Sequence, residues 1–331
     1  MLPALVAALA RQRQSDGRPF GDGELEVLLL LNNCTDASGT VARRLARTSP
    51  PLRVHVVEVQ LGAHEAHVGR ARQLAMDLAA TRLVAVGAVG RAVCSTDADT
   101  QPASDWIAAT LDEIASGADA VAGRITITAL DRAALPRAAR RALLLDVGYR
   151  RALEALRELY APTPHDPFPR HHQHFGASLA VRADAYLPAG GMPAVRSSED
   201  VALYRALVAR GARVRHSYRV RVATSGRRDG RAQGGLADAL AAWTAAGREA
   251  LVETASAAER RVARIALDRR DGPGHPDDPD LLTPPDSYGG PVAPIGRVLQ
   301  DLRARVSALS EMTPAARLHH AAGLHRLALA A

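Results

Sequence analysis

Hydrophobic and polar positions in the first third of the chain follow two alternating patterns. Helical spacing of apolar residues at 3–13 predicts an amphipathic helix. Leu25 to Leu31 is an almost continuous apolar run, which is typical of a strand covered on both faces. The same reasoning predicts that helices and strands alternate as far as about residue 90. The predicted strands are 25–31, 52–59 and 83–87, and the predicted helices are 3–13, 40–46 and 69–80.

The alternation continues to about residue 222. Strands alternating with helices are typical of an α/β fold, so we predict a largely parallel sheet with helices on both faces. Four prolines between Tyr160 and Pro169 predict an irregular loop. The predicted helices are 106–116, 132–159 and 199–210; the predicted strands are 119–127, the segment ending at Val181, and a basic edge strand at 214–222.

The composition changes at residue 236. Segments rich in Ala, Leu and Arg run to about Arg270, a Pro/Gly/Asp-rich loop follows to Pro294, and two more helical patterns end the chain. We therefore predict two domains, an α/β domain over 1–235 and a helical C-terminal extension over 236–331. The extension carries no recognisable chemistry and could serve as a lid or as the interface of a homodimer.

Composition narrows the class of protein. The formal charge is +7, and every basic residue is an arginine. Guanidinium binds phosphate well, but coding bias in a GC-rich genome explains the arginines equally. Aromatic residues make up 3% and do not interleave with the arginines, which disfavours a nucleic-acid partner. No apolar run is long enough for a transmembrane segment and no signal peptide is evident, so we predict a cytoplasmic protein.

The first candidate for chemistry is the pair Asp97 and Asp99, one residue apart after an apolar strand and before Pro102. Carboxylates at the end of a buried strand favour a cation between them. Mg²⁺ or Mn²⁺ carrying a diphosphate would fit, because these ions prefer oxygen ligands and substrate phosphates complete their shell. The alternative is an ordinary surface turn, in which Asp is common.

Two further groups of polar residues occur where α/β folds bind ligands. Asn32 and Asp36 follow the strand 25–31, at the end of a strand where ligands bind in open sheets; Asp36 could instead cap the next helix. Glu199 and Asp200 lie at the start of a predicted helix. Acidic residues there stabilise the helix through its dipole, but an Asp at this place can also act as a general base.

Basic and histidine-rich loops leave their own alternatives open. Three arginines, Arg227, Arg228 and Arg231, lie in a Gly-rich loop that could close over a diphosphate, or could simply be exposed. The cluster His171-His172-Gln173-His174 lacks the ligand spacing of a structural zinc site. A loop facing the substrate or ordinary surface histidines fit this cluster better.

In their order along the chain, these motifs resemble the GT-A glycosyltransferases of the family 2 type. Asn32-Asn33-Cys34-Thr35-Asp36 resembles the family's Asp-Asp-Gly-Ser-Thr-Asp segment, and Gly69-Arg70-Ala71-Arg72 its Gly-x-Ala-Arg-Asn helix start. Asp97-Ala98-Asp99 matches the metal-binding Asp-x-Asp, and Gly190-Gly191 followed by Glu199-Asp200 matches the Gly-Gly…Glu-Asp pair. The resemblance covers about residues 3–235.

The resemblance implies a GT-A fold and a metal-dependent transfer of a sugar from a nucleotide-diphosphate sugar to an acceptor hydroxyl. Asp97 and Asp99 would hold Mg²⁺ or Mn²⁺ on the diphosphate, and Asp200, with Glu199 orienting it or sharing the role, would take the acceptor proton. The remaining implied contacts are to the donor: Asn32, Asp36 and Arg72 to the nucleoside, Asp97 to the donor together with the metal, and Arg227, Arg228 and Arg231 to the departing diphosphate.

Two features depart from the family pattern. The chain opens on what resembles the helix after the family's usual first strand, and Asn32 stands where the family has Asp. The first departure keeps open a second function, a non-catalytic protein that binds sugar nucleotides. A sugar-phosphate nucleotidylyltransferase is disfavoured because we find no Gly-rich basic phosphate loop near the N-terminus, and an NAD-dependent oxidoreductase because no Gly-x-Gly-x-x-Gly follows a strand.

Overall fold

The computed structural model describes residues 1–49, 52–87, 91–227, 235–245, 251–268 and 292–329. The chain forms two compact units. The first unit comprises Met1–Ala129 and Gln173–Gly226, and the second comprises Leu130–His172 and Arg227–Ala331.

The first unit contains the alternating α/β part of the chain. Its helices are α1 (Leu2–Ala10), α2 (Ser38–Thr48), α3 (Val68–Ala85), α4 (Trp106–Ala115), α7 (Ala183–Tyr186) and α8 (Glu199–Ala209), with a 3₁₀ turn at Gly176–Ser178. Its strands are β1 (Glu26–Asn32), β2 (Arg53–Val59), β3 (Ala92–Ser95), β4 (Thr100–Pro102), β5 (Ala120–Ile127), β6 (Leu179–Arg182) and β7 (Val214–Thr224). Helix α5 (Ala129–Ala134) begins at the end of this unit and continues into the second.

The strands of the first unit form two sheets. Strands β1 and β2 pair in parallel over seven residues, and the five-stranded sheet has the order β3-β6-β5-β7-β4. In that sheet β5 and β7 pair in parallel along eight residues of β5, whereas the pairings of β6 with β3 and β5, and of β4 with β7, are short and antiparallel. The predicted α/β class, a mixed sheet whose longest pairings are parallel, is confirmed.

Apolar residues of the strands and helices form the cores of the first unit. One core of the first unit joins Leu29 and Leu31 of β1 to Trp106 of α4 and Val121 of β5. A second core lies around Leu179, Tyr186 and Leu203. With few aromatic residues available, the cores consist mainly of Ala, Leu and Val, and Trp106 is 2% exposed with its indole N–H donated to Ser178.

Two predictions about individual strands are wrong. Residues 83–87 are not a strand: they form the last turn of α3 and the turn that ends it at Gly87, whose φ of 63° suits glycine. A short apolar run does not distinguish helix from strand, and Val84 and Val86 are in fact exposed. Among the described strands, β4 pairs with the outer side of β7 only at Val222–Thr224. The prediction of an edge strand over 214–222 is therefore wrong at that end alone, and the alternating basic positions reflect one solvent-facing side of the sheet.

Asp119, directly before β5, is hydrogen-bonded to Arg213, directly before β7. Its carboxylate accepts hydrogen bonds from the backbone N–H and Nε of Arg213 and from Arg182. Burial raises the pKa of Asp119, but the hydrogen bonds and charge of Arg213 outweigh burial and hold the pKa below its ordinary 3.8.

We expect Asp119→Asn to lower the free energy of unfolding by about 1–2 kcal/mol at neutral pH. The difference in unfolding free energy between wild type and variant should be complete above pH 3.8, the ordinary pKa of the carboxyl group. It should fade as the pH falls through the lower pKa of the folded state, because Asp119 is then protonated in both the folded and the unfolded protein. Urea unfolding at several pH values measures this difference, with Asp105→Asn as control, because Asp105 is exposed in the same unit and pairs with Arg221. A loss that is the same at all pH values would contradict the electrostatic explanation.

The second unit is mainly helical. Its helices are α6 (Arg137–Tyr160), α9 (Leu236–Ala245), α10 (Ala255–Asp268), α11 (Ile295–Ser310) and α12 (Pro314–Leu329), with a small antiparallel sheet of β8 (Leu251–Glu253) and β9 (Val292–Pro294). The predicted helix 132–159 is interrupted at Pro136, which separates α5 from α6. The core of this unit joins Leu153 and Leu156 of α6 to α10 and α11.

The compact units differ from the predicted boundary at residue 235. Residues 130–172, which we expected in the first domain, group with the C-terminal helices because the apolar side of α6 packs against α10 and α11. The assignment of functions to 1–235 and 236–331 stays a prediction. None of the helices in the described part of the chain is long and apolar enough to span a membrane.

Candidate functional site

Arg72 is the centre of the candidate site. It lies on the second turn of α3, whose first turn is capped by His67 accepting from the N–H of Arg70. Its Nε donates to Glu199 at 2.9 Å and Nη2 to Asp97 at 2.8 Å. Nη1 donates to Ser95 Oγ and to the carbonyl of Gly176, both at 2.7 Å. The guanidinium therefore joins three distant segments of the first unit.

The charges around Arg72 are compensated locally. Its side chain is 12% exposed, and that of Glu199 is 4% exposed. Burial lowers the pKa of Arg72, but the carboxylates of Asp97 and Glu199 act in the opposite direction and leave the pKa above its ordinary value. Arg72 is thus a fixed cation that allows Glu199 to be buried as a carboxylate.

Gly176 connects this cluster to Asp200. Its carbonyl accepts from Arg72 and Ser95, and its N–H donates to Asp200 Oδ2 at 2.7 Å. A Cβ at this position would lie 2.3 Å from the guanidinium of Arg72, so a larger residue would displace Arg72 from its present hydrogen bonds. The Gly176 backbone therefore sets the distance between the arginine and the Asp200 carboxylate.

The two aspartates of the Asp-x-Asp motif lie in a tight turn between β3 and β4. The N–H of Thr100 donates to the carbonyl of Asp97, and the buried hydroxyls of Thr100 and Thr224 share a hydrogen bond at 3.0 Å. The turn follows directly from Ser95, whose hydroxyl is bound in the Arg72 cluster. The side chain of Asp97 is 39% exposed, and Asp99 is half-buried.

The chemistry of these two side chains fits a divalent cation. No group of three or more metal-ligating side chains occurs among the residues that the structure describes. Mg²⁺ and similar ions often take only one or two carboxylates from the protein and complete their shell with water and substrate phosphate. Asp97 and Asp99 supply that partial set of oxygen donors, and Asp97 remains accessible beside Arg72.

The start of α8 is placed by close backbone contacts. Gly69 on α3 approaches the carbonyl of Val195 so closely that a Cβ would overlap it. Upstream, Gly190 and Gly191 turn the chain with positive φ, and Tyr186 fixes this turn by donating to Asp77 and accepting from the N–H of Met192. These contacts bring Glu199 and Asp200 to the Arg72 cluster.

Glu199 and Asp200 differ in accessibility. Glu199 is 3% exposed and held by Arg72, whereas Asp200 is half-buried and accepts from the N–H of Gly176 and of Val201. Each carboxylate oxygen can accept a second hydrogen bond. Asp200 is therefore the better placed of the two for contact with a ligand, and Glu199 is better placed to orient the site. Their predicted catalytic roles stay predictions.

The polar residues at the end of β1 and directly after it play different parts in the structure. Asn33, with φ of 50°, bonds both the N–H and the carbonyl of Leu61 through its side chain, which closes the ends of β1 and β2. Asp36 accepts from the N–H of Ser38 and so supports the start of α2, as its alternative predicted. Asn32 Oδ1 is buried and has no hydrogen-bond partner among the residues that the structure describes, so it could accept one from outside the protein chain.

The other predicted ligands lie elsewhere in the first unit, in the second unit, or outside the described residues. Arg227 is exposed and belongs to the second unit, and Arg228 and Arg231 lie outside the described residues. His174 stacks on Tyr204 in the interior of the first unit, with 3.9 Å between the ring centroids, whereas His171 belongs to the second unit. No metal cluster involves these histidines within the described ranges.

Sequence reasoning missed Ser95, Thr96 and Gly176. Ser95 bridges Arg72 and the carbonyl of Gly176. Within the described part of the chain, the buried hydroxyl of Thr96 has no hydrogen-bond partner, like Oδ1 of Asn32. The signal for Ser95 and Thr96 was their position directly before Asp97. A glycine between a polar loop and a strand was the only signal for Gly176.

No family model matches the chain, and no curated protein matches it by sequence. A similar solved structure is the mannosyltransferase PcManGT from Pyrobaculum calidifontis in complex with GDP-mannose and Mn²⁺. The sequence identity is 20% and the TM-score 0.48, over 98% of this chain and 77% of the other.

Proposed function

We propose that this protein is a metal-dependent glycosyltransferase of the GT-A, family 2 type, which moves a sugar from a nucleotide-diphosphate sugar to an acceptor hydroxyl. One observation carries the proposal: the guanidinium of Arg72 joins Asp97 to Glu199, and Gly176 links it to Asp200. Two acidic segments from distant parts of the chain thereby share one site.

On the donor side, Asp97 and Asp99 would hold Mg²⁺ or Mn²⁺. The bound ion would neutralise the charge that develops on the leaving diphosphate. Asn32 and Asp36 would contact the nucleoside, and the unsatisfied Oδ1 of Asn32 supports a hydrogen bond to a base N–H. Arg72 acts mainly by holding Asp97 and Glu199 in position, since four of its hydrogen bonds are already made within the protein.

On the acceptor side, Asp200 would take the proton of the attacking hydroxyl. The acceptor oxygen then bonds to the anomeric carbon, and the bond from that carbon to the diphosphate oxygen breaks, with the electron pair leaving on the diphosphate. Glu199 would orient this arrangement through Arg72. The roles of Arg227, Arg228 and Arg231 on the departing diphosphate, a cytoplasmic location, and dimerisation through the C-terminal helices are also part of the proposal.

Metal-dependent donor binding provides the test. We expect titration calorimetry with UDP-, GDP- and dTDP-hexoses to detect one donor whose binding requires Mn²⁺. Asp99→Ala should weaken that binding by about 100-fold or more, because a carboxylate ligand of the metal is removed. The same variant should leave weak metal-free binding unchanged.

Asp105→Ala provides a matched control. Asp105 is an exposed carboxylate of the same unit that pairs with Arg221, so its loss should not alter donor affinity. No metal-dependent binding to any donor would overturn the proposal. Metal-dependent binding without hydrolysis or transfer to any acceptor would favour the second candidate, a non-catalytic protein that binds sugar nucleotides.

A further inference from the structure

The first two turns of α6 expose a leucine together with arginines. Arg137, Arg141 and Leu144 follow at helical spacing and therefore lie on one stripe. All three are exposed, and Leu144 is 68% exposed. Just before them, Leu130 on α5 is 85% exposed, and Arg132 is also exposed. All five residues are exposed and lie within residues 130–144, and we call this set the α5–α6 patch.

The exposure of Leu144 does not follow from the packing of its helix. Leu135 and Ala139, on the opposite side of this segment, are 6% and 0% exposed. The core of the second unit includes α6 residues only from Leu145 onward, and Leu299 of α11 packs against α6 at Gly148. The start of α6 thus has a buried side, and its outward side carries Leu144 where a polar residue would be expected.

The leucines and arginines of the α5–α6 patch indicate what kind of surface it binds. Leucines beside several arginines on an exposed helical surface fit the boundary between headgroups and acyl chains of an anionic bilayer, where arginine meets lipid phosphate and leucine enters the apolar layer. A second copy of the chain fits poorly, because a two-fold interface would place the same arginines against one another. No helix in the described part of the chain is long and apolar enough to cross a membrane, and the contact proposed here is with the bilayer surface.

We propose that the α5–α6 patch binds reversibly to membranes that contain anionic phospholipids. The inference does not depend on the transferase activity, because none of the five residues belongs to the candidate site. Each arginine near an anionic surface contributes about fivefold to binding, so the three arginines together give a measurable but salt-sensitive affinity.

Vesicle sedimentation tests the proposal with the full chain. The protein should sediment with vesicles of equimolar phosphatidylcholine and phosphatidylglycerol at low salt, and should remain in solution with phosphatidylcholine alone. The double variant Arg137→Gln/Arg141→Gln should lower the partition coefficient by about 25-fold, two factors of about five. Leu144→Gln should lower it by a smaller factor and should reduce the binding that survives at high salt.

Matched variants separate this patch from the general positive charge. Arg44→Gln/Arg47→Gln removes two exposed arginines of α2, and Leu187→Gln replaces a leucine that is 47% exposed in the first unit. Both should bind vesicles like the wild type. Equal losses in the α2 pair would assign binding to the net charge of +7 and overturn the proposal. Equal binding to both vesicle types, or none to either, would also overturn it.

Discussion

Replacing Arg72 with methionine should lower the free energy of unfolding of the first unit by about 3–5 kcal/mol, although the side chain keeps a similar volume. The variant leaves Glu199, which is 3% exposed, as a buried carboxylate without its cation. It also removes the donors to Ser95 Oγ and to the carbonyl of Gly176. Breaking a buried ion pair from one side is far more costly than losing an exposed one.

Urea unfolding followed by the fluorescence of Trp106 measures this effect. The chain has two tryptophans, so a Trp243→Phe background leaves only Trp106, which is buried in the first unit. Arg70→Met is the matched control, because Arg70 lies two residues away on α3 and is more exposed, with a weaker pairing to Glu65; we expect a change of about 0–1 kcal/mol.

A double variant identifies the origin of the loss. Arg72→Met/Glu199→Met removes both charges, so it should be clearly less destabilised than the sum of the two single variants. Additive losses would mean that Arg72 and Glu199 stabilise the unit independently, and the buried pair would not be the organising contact of the site.

Periodicity and motif order predicted much of the first unit. The helices around 2–10, 38–48 and 106–115 and the strands β1 and β2 lie within a few residues of their predicted bounds. These elements have long, regular apolar patterns or are bounded by clusters of polar residues. The strand predicted at 83–87 failed because a short apolar run carries no period, and the real strand β3 is only four residues long.

The arrangement of the second unit was not predictable from local signals. Whether α6 packs with the sheet or with the C-terminal helices depends on contacts between residues far apart in sequence, such as Leu156 with α10. Its buried Glu253 and Glu259 are compensated by Arg261 and Arg305 and by the hydroxyls of Tyr149 and Tyr160. In the sequence these glutamates look like ordinary surface residues of amphipathic helices.

The candidate site was predictable in its acidic members but not in its cation. The resemblance placed a metal ion beside Asp97 and Asp99, and it placed the segments around Asp97 and Glu199 in one site. In the structure the positive charge between them is Arg72, which the resemblance assigned to the nucleoside. Helical spacing places Arg72 on α3 but does not reveal which distant carboxylates it meets.

Asp200→Asn should reduce kcat by about 10²–10⁴-fold, the range expected when a general base is removed. The amide keeps the shape of the side chain but cannot take a proton, and its NH₂ group replaces one of the two oxygens that accept backbone N–H groups. We therefore also expect a stability loss of about 1–3 kcal/mol. Donor binding measured by calorimetry should stay close to wild type, because Asp200 faces the acceptor side in the proposal.

Glu199→Gln distinguishes the two acidic residues of α8. Glutamine can still accept the hydrogen bond from Arg72 Nε but removes the charge, so this variant should lose stability and should lower kcat by a smaller factor than Asp200→Asn. Initial rates of transfer with the identified donor, measured at a temperature where both variants are folded, give the comparison. Near-normal turnover in Asp200→Asn together with a large loss in Glu199→Gln would reverse the assignment and make the buried glutamate, released from Arg72 when substrate binds, the proton acceptor.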